Sequence, residues 1–404
     1  MLCVSKNIVG ATKHLLINDN NDLSFVNEPP QDVYFYDENF AKTKCLRTLF
    51  SLEKKQFTAQ IPEQYKKAYS QLTKNSDNKI PPWFRCIPQS QYKAFLDNAK
   101  NEITNQFQKC NVQYYENTFS KHTIVFDSLQ PSKISFDAIK SHSKSEQSSP
   151  EAVLNTFMPS RDGVTSPIVY DRLGSRTGRL KIASGPNIMT LKKEFRNVLC
   201  SRFIGGKILS IDYSALEARI MLYSVGRATS NGDLYELIVN EVFDGKLTRN
   251  QVKVAVLSLI FGSGEAYIAH SLGIERVEAR RISKEIRKYF CVSILEKKLI
   301  ESMVDGHIRN HYGRLVEVPE NNLIVNSFIQ STGVDVALHG FTKIVEFISS
   351  IKSKIKPVPL FIQTDAIILD VPPEFTDLPI LLKAAESIPG FVQRFPVHVD
   401  LFAK

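Results

Sequence analysis

The sequence predicts an α+β fold in which a helical region separates two groups of strands. Short apolar runs typical of strands occur at residues 165–171 and 207–212, and a longer run follows at 359–371. Between them lie segments with helical spacing, among them 249–261 and 326–348. Strands followed by helices and then by strands again indicate an α+β domain with a helical insertion.

The composition is that of a core-forming protein with a basic balance. The chain has 404 residues, of which 43% are hydrophobic and 23% charged, and its formal net charge is +9. A basic balance favours a polyanionic partner without deciding the fold. The six cysteines form no CxxC pair, and no run reaches the ~18 apolar residues of a membrane span. We therefore expect a cytoplasmic protein without a disulfide framework, a zinc site or a membrane partner.

Two acidic residues interrupt the most regular apolar segments. Asp212 ends the run 207–212, and Asp365 lies within 359–371, which predicts a strand buried on both faces. A buried, unpaired carboxylate is costly, whereas a divalent cation held between two carboxylates stabilises both charges. Either acid alone is better explained by a turn or an exposed strand end. The two together predict a metal site.

A basic stripe follows on a predicted helix. Arg249, Lys253, Leu257 and Phe261 recur at every fourth position and therefore share one helix face. Two cations followed by two apolar groups could grip phosphates at one end and cover a base at the other. Lys253 could also donate a proton to a departing pyrophosphate. The alternative is a solvated basic edge on a core helix.

Taken in order, several segments resemble the polymerase domain of family A DNA polymerases, the group of bacterial DNA polymerase I. DYSALEARIML resembles motif A, the helix 249–262 resembles motif B, and residues 363–370 take the place of motif C. The segments RTGRLKIASGPNI, EFRNVL, GDLYELIVNEVF, YGRL and NSFIQSTGVDV are also similar, and the match is collinear from Val169 to Val371. The resemblance implies a divergent member with a right-hand fold: an antiparallel-sheet palm, helical fingers and a helical thumb.

The resemblance also implies a role for each matching residue. Asp212 and Asp365 would be catalytic, metal-binding acids for two Mg²⁺ ions, or Mn²⁺, with the Tyr213 carbonyl as a further ligand. Lys253 would be the third catalytic residue. The nucleotide-binding residues would be Arg249, Lys253, Tyr235, Leu257, Phe261 and Glu217, the last as a steric gate against a ribose 2′-hydroxyl. The DNA-binding residues would be Arg179, Arg314, Asn326, Gln330 and Thr364. Arg179, Asn326 and Gln330 also have plainer explanations, as a phosphate ligand and as satisfied polar groups on a buried helix.

The sequence departs from the family motifs at four positions. Leu257 replaces a stacking aromatic, and Phe261 replaces a tyrosine whose hydroxyl would bond Glu217. In motif C, Thr364 replaces a histidine and Ala366 a glutamate. These changes concern fidelity, nucleotide-analogue discrimination and turnover, because both metal acids and the gate glutamate remain.

The resemblance divides the chain into parts. Residues 1–45 stay unassigned, and 46–165 form a lysine-rich, mostly helical region expected to be the thumb. The palm would comprise 166–225 and 305–404, and the fingers 226–304.

No proofreading 3′–5′ exonuclease is expected. Asp37 and Glu38 are adjacent, so on a strand they would point to opposite faces instead of sharing a metal. The short length and the missing exonuclease indicate an enzyme of a phage, plasmid or other mobile element.

The predicted function is template-directed DNA synthesis by a monomer that binds primer–template DNA and dNTPs, with replication accessory proteins as further candidate partners. One alternative is an RNA polymerase of the single-subunit type, which Glu217 opposes. The other is a catalytically degenerate polymerase fold that binds nucleic acid in replication, which Leu257, Thr364 and Ala366 favour.

Overall fold

The structure is a computed structural model that describes residues 1–37, 44–59, 63–74, 82–143, 150–159, 162–227, 229 and 232–403. Contacts divide the chain into two compact units, Met1–Ser120 and Lys121–Lys404. Glu38, one of the two acids weighed for an exonuclease, lies outside the described residues.

Within its described residues, the first unit contains a small sheet and five α-helices. Its strands are β1 (Leu2–Val4), β2 (His14–Ile17), β3 (Leu23–Val26) and β4 (Tyr34–Tyr36), in the order β3-β2-β1-β4 with only β4 and β1 parallel. Its helices are α1 (Lys6–Val9), α2 (Leu46–Leu52), α3 (Glu63–Thr73), α4 (Gln89–Gln108) and α5 (Val112–Tyr114). Residues 1–45 therefore supply the sheet that the sequence left unassigned, because strands of three or four residues give too short an alternation to detect.

The second unit carries the remaining elements. Its strands are β5 (Lys133–Ile134), β6 (Val169–Asp171), β7 (Lys181–Ser184), β8 (Leu199–Cys200), β9 (Lys207–Tyr213), β10 (His307–Arg309), β11 (Leu315–Glu317), β12 (Val358–Gln363), β13 (Ala366–Val371) and β14 (Val397–Ala403). Its helices are α6 (Thr123–Ser128), α7 (Phe136–Ser143), α8 (Pro150–Asn155), α9 (Leu216–Ser224), α10 (Leu234–Phe243), α11 (Arg249–Ile260), α12 (Glu265–Leu272), α13 (Arg276–Tyr289), α14 (Val292–Ser302), α15 (Ile324–Ser350) and α16 (Leu378–Glu386).

A four-stranded antiparallel sheet forms the centre of the second unit. Its strand order is β12-β13-β9-β14, and β13 is buried along its whole length. Successive side chains of a strand face opposite sides, and accordingly Ile367 and Leu369 join one apolar core while Ile368 joins another. The mixed architecture, with antiparallel sheets and many helices, confirms the α+β prediction at this level.

The segment 359–371 differs from its prediction as one buried strand. It forms a hairpin in which β12 and β13 are joined by Thr364 and Asp365 alone. Thr364 has φ +58°, a left-handed conformation that β-branched residues rarely adopt. The sequence hides this turn because neither central residue is glycine or asparagine, the usual hairpin signal.

Two helices that bear on the site follow their predicted bounds. Helix α11 begins with a capping box, in which Thr248 accepts from the Gln251 amide and Gln251 accepts from the Thr248 amide. Helix α15 has 27 residues and is buried over most of its length. Over the described ranges, none of the helices combines the length and apolarity that a bilayer crossing requires.

Candidate active site

The sheet register brings the two predicted acids together. Asp212 on β9 pairs directly across the ladder with Ala366, the first residue of β13, and Asp365 immediately precedes Ala366 in the hairpin turn. Neighbouring strands lie about 4.8 Å apart, and the carboxyl groups of Asp212 and Asp365 interact directly through their side chains. Residues 153 positions apart in sequence (365 − 212) thus meet at one end of the central strands.

The ionised forms of the two carboxyl groups are disfavoured by burial and by neighbouring negative charge. Burial, with added repulsion from Asp400 and Glu217, raises the pKa of Asp212 to about 6, against the opposing effects of the Tyr213 amide and Lys253. Burial and then the Asp212 charge raise the pKa of Asp365 to about 7. Two such groups resist simultaneous ionisation unless a positive charge joins them.

The donor set fits a divalent cation that takes few protein ligands. Oδ1 of Asp212 is buried and has no hydrogen-bond partner among the described residues. Within those same ranges, no cluster of three or more His, Cys, Asp or Glu side chains is arranged to hold a metal. Mg²⁺ is commonly bound by one or two carboxylates and completes its shell with water and substrate phosphates. Asp212 and Asp365 match this preference, and the Tyr213 carbonyl follows Asp212 directly in the chain.

Tyr213 anchors this end of β9. Its buried hydroxyl donates to the Ala385 carbonyl at 2.8 Å and lies against Gly340, where a β-carbon would come within 1.6 Å of the hydroxyl oxygen. The side chain therefore fixes the backbone that carries Asp212.

A cleft of about 100 Å³ opens beside Asp365. Glu217 and Arg179 form a pair across it, with Nη2 and Oε1 3.6 Å apart, and the Glu217 side chain is 15% exposed. Burial and the neighbouring Asp365 charge raise the pKa of Glu217, whereas Arg179 lowers it. The guanidinium of Arg179 also lies 5.2 Å from the centre of the Phe261 ring. The lining residues are Arg179, Leu180, Met189, Leu216, Glu217, Gln330, Gly333, Val334, Leu338, Thr364 and Asp365.

The predicted basic stripe occupies α11 and its C-terminal cap. Lys253 is exposed, and its charge lowers the pKa of Asp212. Arg249 forms a short ion pair with Asp233, with Nη2 2.7 Å from Oδ2, and its guanidinium lies 5.5 Å from the centre of the Tyr235 ring. Leu257 is half-buried, and Phe261 is 40% exposed. Lys253 on the helix therefore acts on Asp212 of the sheet, whereas Arg249 is paired with Asp233.

The five predicted DNA-binding residues occupy different environments. Arg179, Gln330 and Thr364 line the cleft. Asn326 is buried, and its side-chain amide donates to the Ile260 carbonyl at the end of α11. It therefore matches the alternative of a satisfied polar group on a buried helix. Arg314 is only 5% exposed and is held by protein partners.

Two residues of the last strand were missed by sequence reasoning. His398 on β14 pairs across the ladder with Asp212, and its Nε2 lies 3.6 Å from both Asp212 Oδ2 and Asp400 Oδ2. The alternation in PVHVDLF, which places His398 and Asp400 on one strand face, was the available signal.

Comparisons with known proteins define the class of fold. No protein-family model and no curated protein matches the sequence. Among solved structures, the chain is similar to the POL domain of Pol1 from M. smegmatis, in complex with DNA primer-template and dNTP, at a TM-score of 0.52 and 15% sequence identity. The similarity covers 88% of this chain and 62% of that one, so this chain spans less than two thirds of its neighbour. The fold is therefore similar to that of a polymerase domain.

Proposed function

We propose that the protein is a DNA-templated DNA polymerase that adds dNTPs to a primer 3′ end and has no proofreading activity. The observation that carries this proposal is the convergence of Asp212 and Asp365 at one end of the central sheet, where the charge of Lys253 reaches Asp212. The neighbour of similar fold is a polymerase domain bound to primer-template and dNTP, which supports the same partners here.

The chemistry proposed for each residue combines its position with the motif that it resembles. Asp212 and Asp365 would hold the metal ions, with the Tyr213 carbonyl as a further ligand. Two Mg²⁺ ions, when bound, would stabilise the attacking 3′-oxygen and the leaving pyrophosphate oxygen. Arg249 binds the triphosphate, and Lys253 places a proton within reach of the leaving pyrophosphate. Binding of the triphosphate requires Arg249 to exchange its Asp233 partner for phosphate oxygens.

Glu217 is assigned the discrimination between sugars. It lines the cleft beside Asp365, and Arg179 pairs with its carboxylate. A nearly buried carboxylate in this place leaves no room for a ribose 2′-hydroxyl. Phe261, whose ring meets Arg179, would contribute to the wall against which the base of the dNTP lies, together with Leu257.

The architecture is assigned by analogy with the right-hand arrangement. The sheet of β9, β12, β13 and β14 would be the palm, and helices α10 to α14 the fingers. The lysine-rich helices among residues 46–165 would form the thumb, whose cations would follow a phosphate backbone in a salt-dependent manner.

The test is primer extension with a labelled primer–template, Mg²⁺ and either dNTPs or rNTPs. Wild type is compared with Asp212→Ala and with Asp19→Ala, an exposed acid of the first unit that serves as the matched control. Extension with dNTPs that persists in the control and is lost in Asp212→Ala supports the proposal. Extension with rNTPs would support the RNA polymerase alternative. DNA binding without extension by wild type would support a non-catalytic nucleic-acid-binding protein.

A further inference from the structure

The surroundings of Arg314 differ from those of a residue that contacts DNA. Its guanidinium is enclosed within the second unit, where Nη2 donates to the Arg172 carbonyl at 3.1 Å and Nη1 lies 3.8 Å from Oδ1 of Asp335. The side chains of Arg314 and Asp335 are 6% and 1% exposed. A charged side chain this buried is retained only with partners that satisfy it.

Arg314, Asp335 and Asn310 form a ring of two hydrogen bonds and one ion pair. Asn310 donates through Nδ2 to Oδ2 of Asp335 at 2.7 Å, and its Oδ1 accepts from the Arg314 backbone amide at 2.9 Å. Asp335 lies on the long buried helix α15. The ring therefore ties the Arg314 guanidinium to the buried helix α15.

The guanidinium then determines the course of a neighbouring loop. A β-carbon on Gly178 would come within 2.2 Å of Cζ and Nη1 of Arg314, so the backbone of Gly178 lies directly against the guanidinium plane. Gly178 has φ +80°, a conformation that glycine adopts without strain. The backbone conformation at this position favours glycine, and a β-carbon there would displace the Arg314 guanidinium.

The same loop carries Arg179 into the cleft. Ser175 donates through its hydroxyl to the Arg179 carbonyl at 2.7 Å, and the Gly178 amide donates to the Ser175 carbonyl at 3.3 Å. The Arg179 side chain then contacts both Glu217 and Phe261. A displacement of Gly178 would move the Arg179 guanidinium away from both contacts.

We infer that Arg314 is a positioning residue: its buried guanidinium, fixed by Asp335 and Asn310, supports the loop at Gly178 and so places Arg179 in the cleft. This inference rests on the proposed function for its effect on catalysis. Under this inference Arg314 does not contact DNA, contrary to what the family resemblance implied. Its whole effect on catalysis passes through Arg179.

The first experiment is a double-mutant cycle on primer extension. Arg314→Met and Arg179→Ala should each lower kcat/KM at least about tenfold, and the double variant should lose no more than about twofold beyond Arg179→Ala, because the two residues act in series. Arg202→Met is the matched control. It breaks another ion pair of a buried acid, with Asp370, away from the cleft, and should not show this dependence on Arg179. Losses that multiply in the double variant would overturn the inference.

A second measurement separates positioning from phosphate contact. The slope of log K for primer–template binding against log[salt] should be the same for Arg314→Met and wild type, because a buried guanidinium neutralises no phosphate. A direct phosphate contact would reduce the slope by about 0.9, and that result would overturn the inference.

A third measurement is independent of activity. Amide hydrogen exchange at residues 172–180 should accelerate at least about tenfold in Arg314→Met and stay at the wild-type rate in Arg202→Met. If Arg314→Met does not fold, Gly178→Ala replaces it, with the same expected exchange and the same dependence on Arg179. Unchanged exchange in this loop would overturn the inference. Absence of primer extension by wild type would overturn the proposed function instead. The exchange measurement would then still decide whether Arg314 supports the loop at Gly178.

Discussion

The acid side and the cation side of the candidate site are held in different ways. Asp212 and Asp365 are fixed by the register of two neighbouring strands, and burial raises the pKa of both. Lys253 is exposed on α11, and Arg249 is already neutralised by Asp233. The two acids are therefore held by the sheet and have too little positive charge around them to offset their burial, whereas the two cations lie on a helix and one of them is already paired. A metal-bound triphosphate, the proposed ligand, would supply positive charge to the acids and phosphate oxygens to the cations.

The largest expected effect comes from Asp365→Asn on the sheet side. Losing one of two metal-binding carboxylates should lower primer extension by at least about 10³-fold, because several kcal/mol of transition-state stabilisation depend on the metal ions. Asp400→Asn removes a nearby acid of β14 that is not assigned to the metal and should keep extension within about tenfold of wild type. Equal losses in the two variants would remove the distinction between the assigned acids and their neighbour.

The same substitution should stabilise the metal-free protein at high pH. The pKa values of about 6 and 7 lie above those of unfolded aspartates, so the native state holds extra protons between about pH 4 and pH 7. The stabilisation that comes from these extra protons is fully present below pH 4 and is lost as the pH rises through 7. Urea unfolding in EDTA should therefore show wild type losing stability from pH 5 to pH 8, and Asp365→Asn losing less of it. If the free energy of unfolding of wild type rose over this pH range, that result would contradict the raised pKa values of Asp212 and Asp365.

Glu217→Ala tests the wall of the cleft. The variant opens space where the 2′-hydroxyl would lie, so discrimination of dNTPs over rNTPs should fall by about 10–100-fold in kcat/KM, with dNTP use retained. Glu217→Asp keeps the charge on a shorter side chain, so its discrimination of dNTPs over rNTPs should lie between those of wild type and Glu217→Ala. Unchanged exclusion of rNTPs in Glu217→Ala would remove the gate assignment.

Asp233→Asn tests the cation side. The asparagine can still cap α10, where Asp233 accepts from the amides of Tyr235 and Glu236, but it no longer neutralises Arg249. Half-exposed ion pairs contribute about 0.2–1 kcal/mol, so KM for dNTPs should fall by no more than about fivefold. Asp244→Asn, at the other end of α10, is the control. A KM that rises in Asp233→Asn would show that Asp233 orients Arg249 and does not compete with phosphate.

Thr364→Asn is expected to have the smallest effect. Asparagine tolerates the left-handed conformation that Thr364 adopts beside Asp365, so the free energy of unfolding should rise by about 1 kcal/mol. Thr12→Asn, at a surface position without a positive φ, should change it by less than about 0.5 kcal/mol. Chemical denaturation measures both, and destabilisation by Thr364→Asn would indicate that the threonine side chain holds the turn.

The sequence was informative where a local pattern fixes the geometry. A strand that carries Asp212 next to its last residue, and a four-residue stripe on α11 and its C-terminal cap, are local features, and both lie where their periods predict. The hairpin at 364–365 was missed because threonine carries no turn signal. The burial of Arg314 could not be foreseen, since it depends on Asp335 and Gly178, which are 21 and 136 residues away in sequence (335 − 314 and 314 − 178).

The most direct test of whether Asp212 and Asp365 form one metal site is Mn²⁺ binding in the absence of nucleotide, measured by electron paramagnetic resonance. Wild type should bind Mn²⁺ at pH 8 and should lose most of that binding by pH 6, because protons compete for the carboxylates. Asp212→Asn and Asp365→Asn should each abolish this binding, while Asp400→Asn should retain it. Binding that survives in either of the first two variants would place the metal elsewhere and contradict the proposed active site.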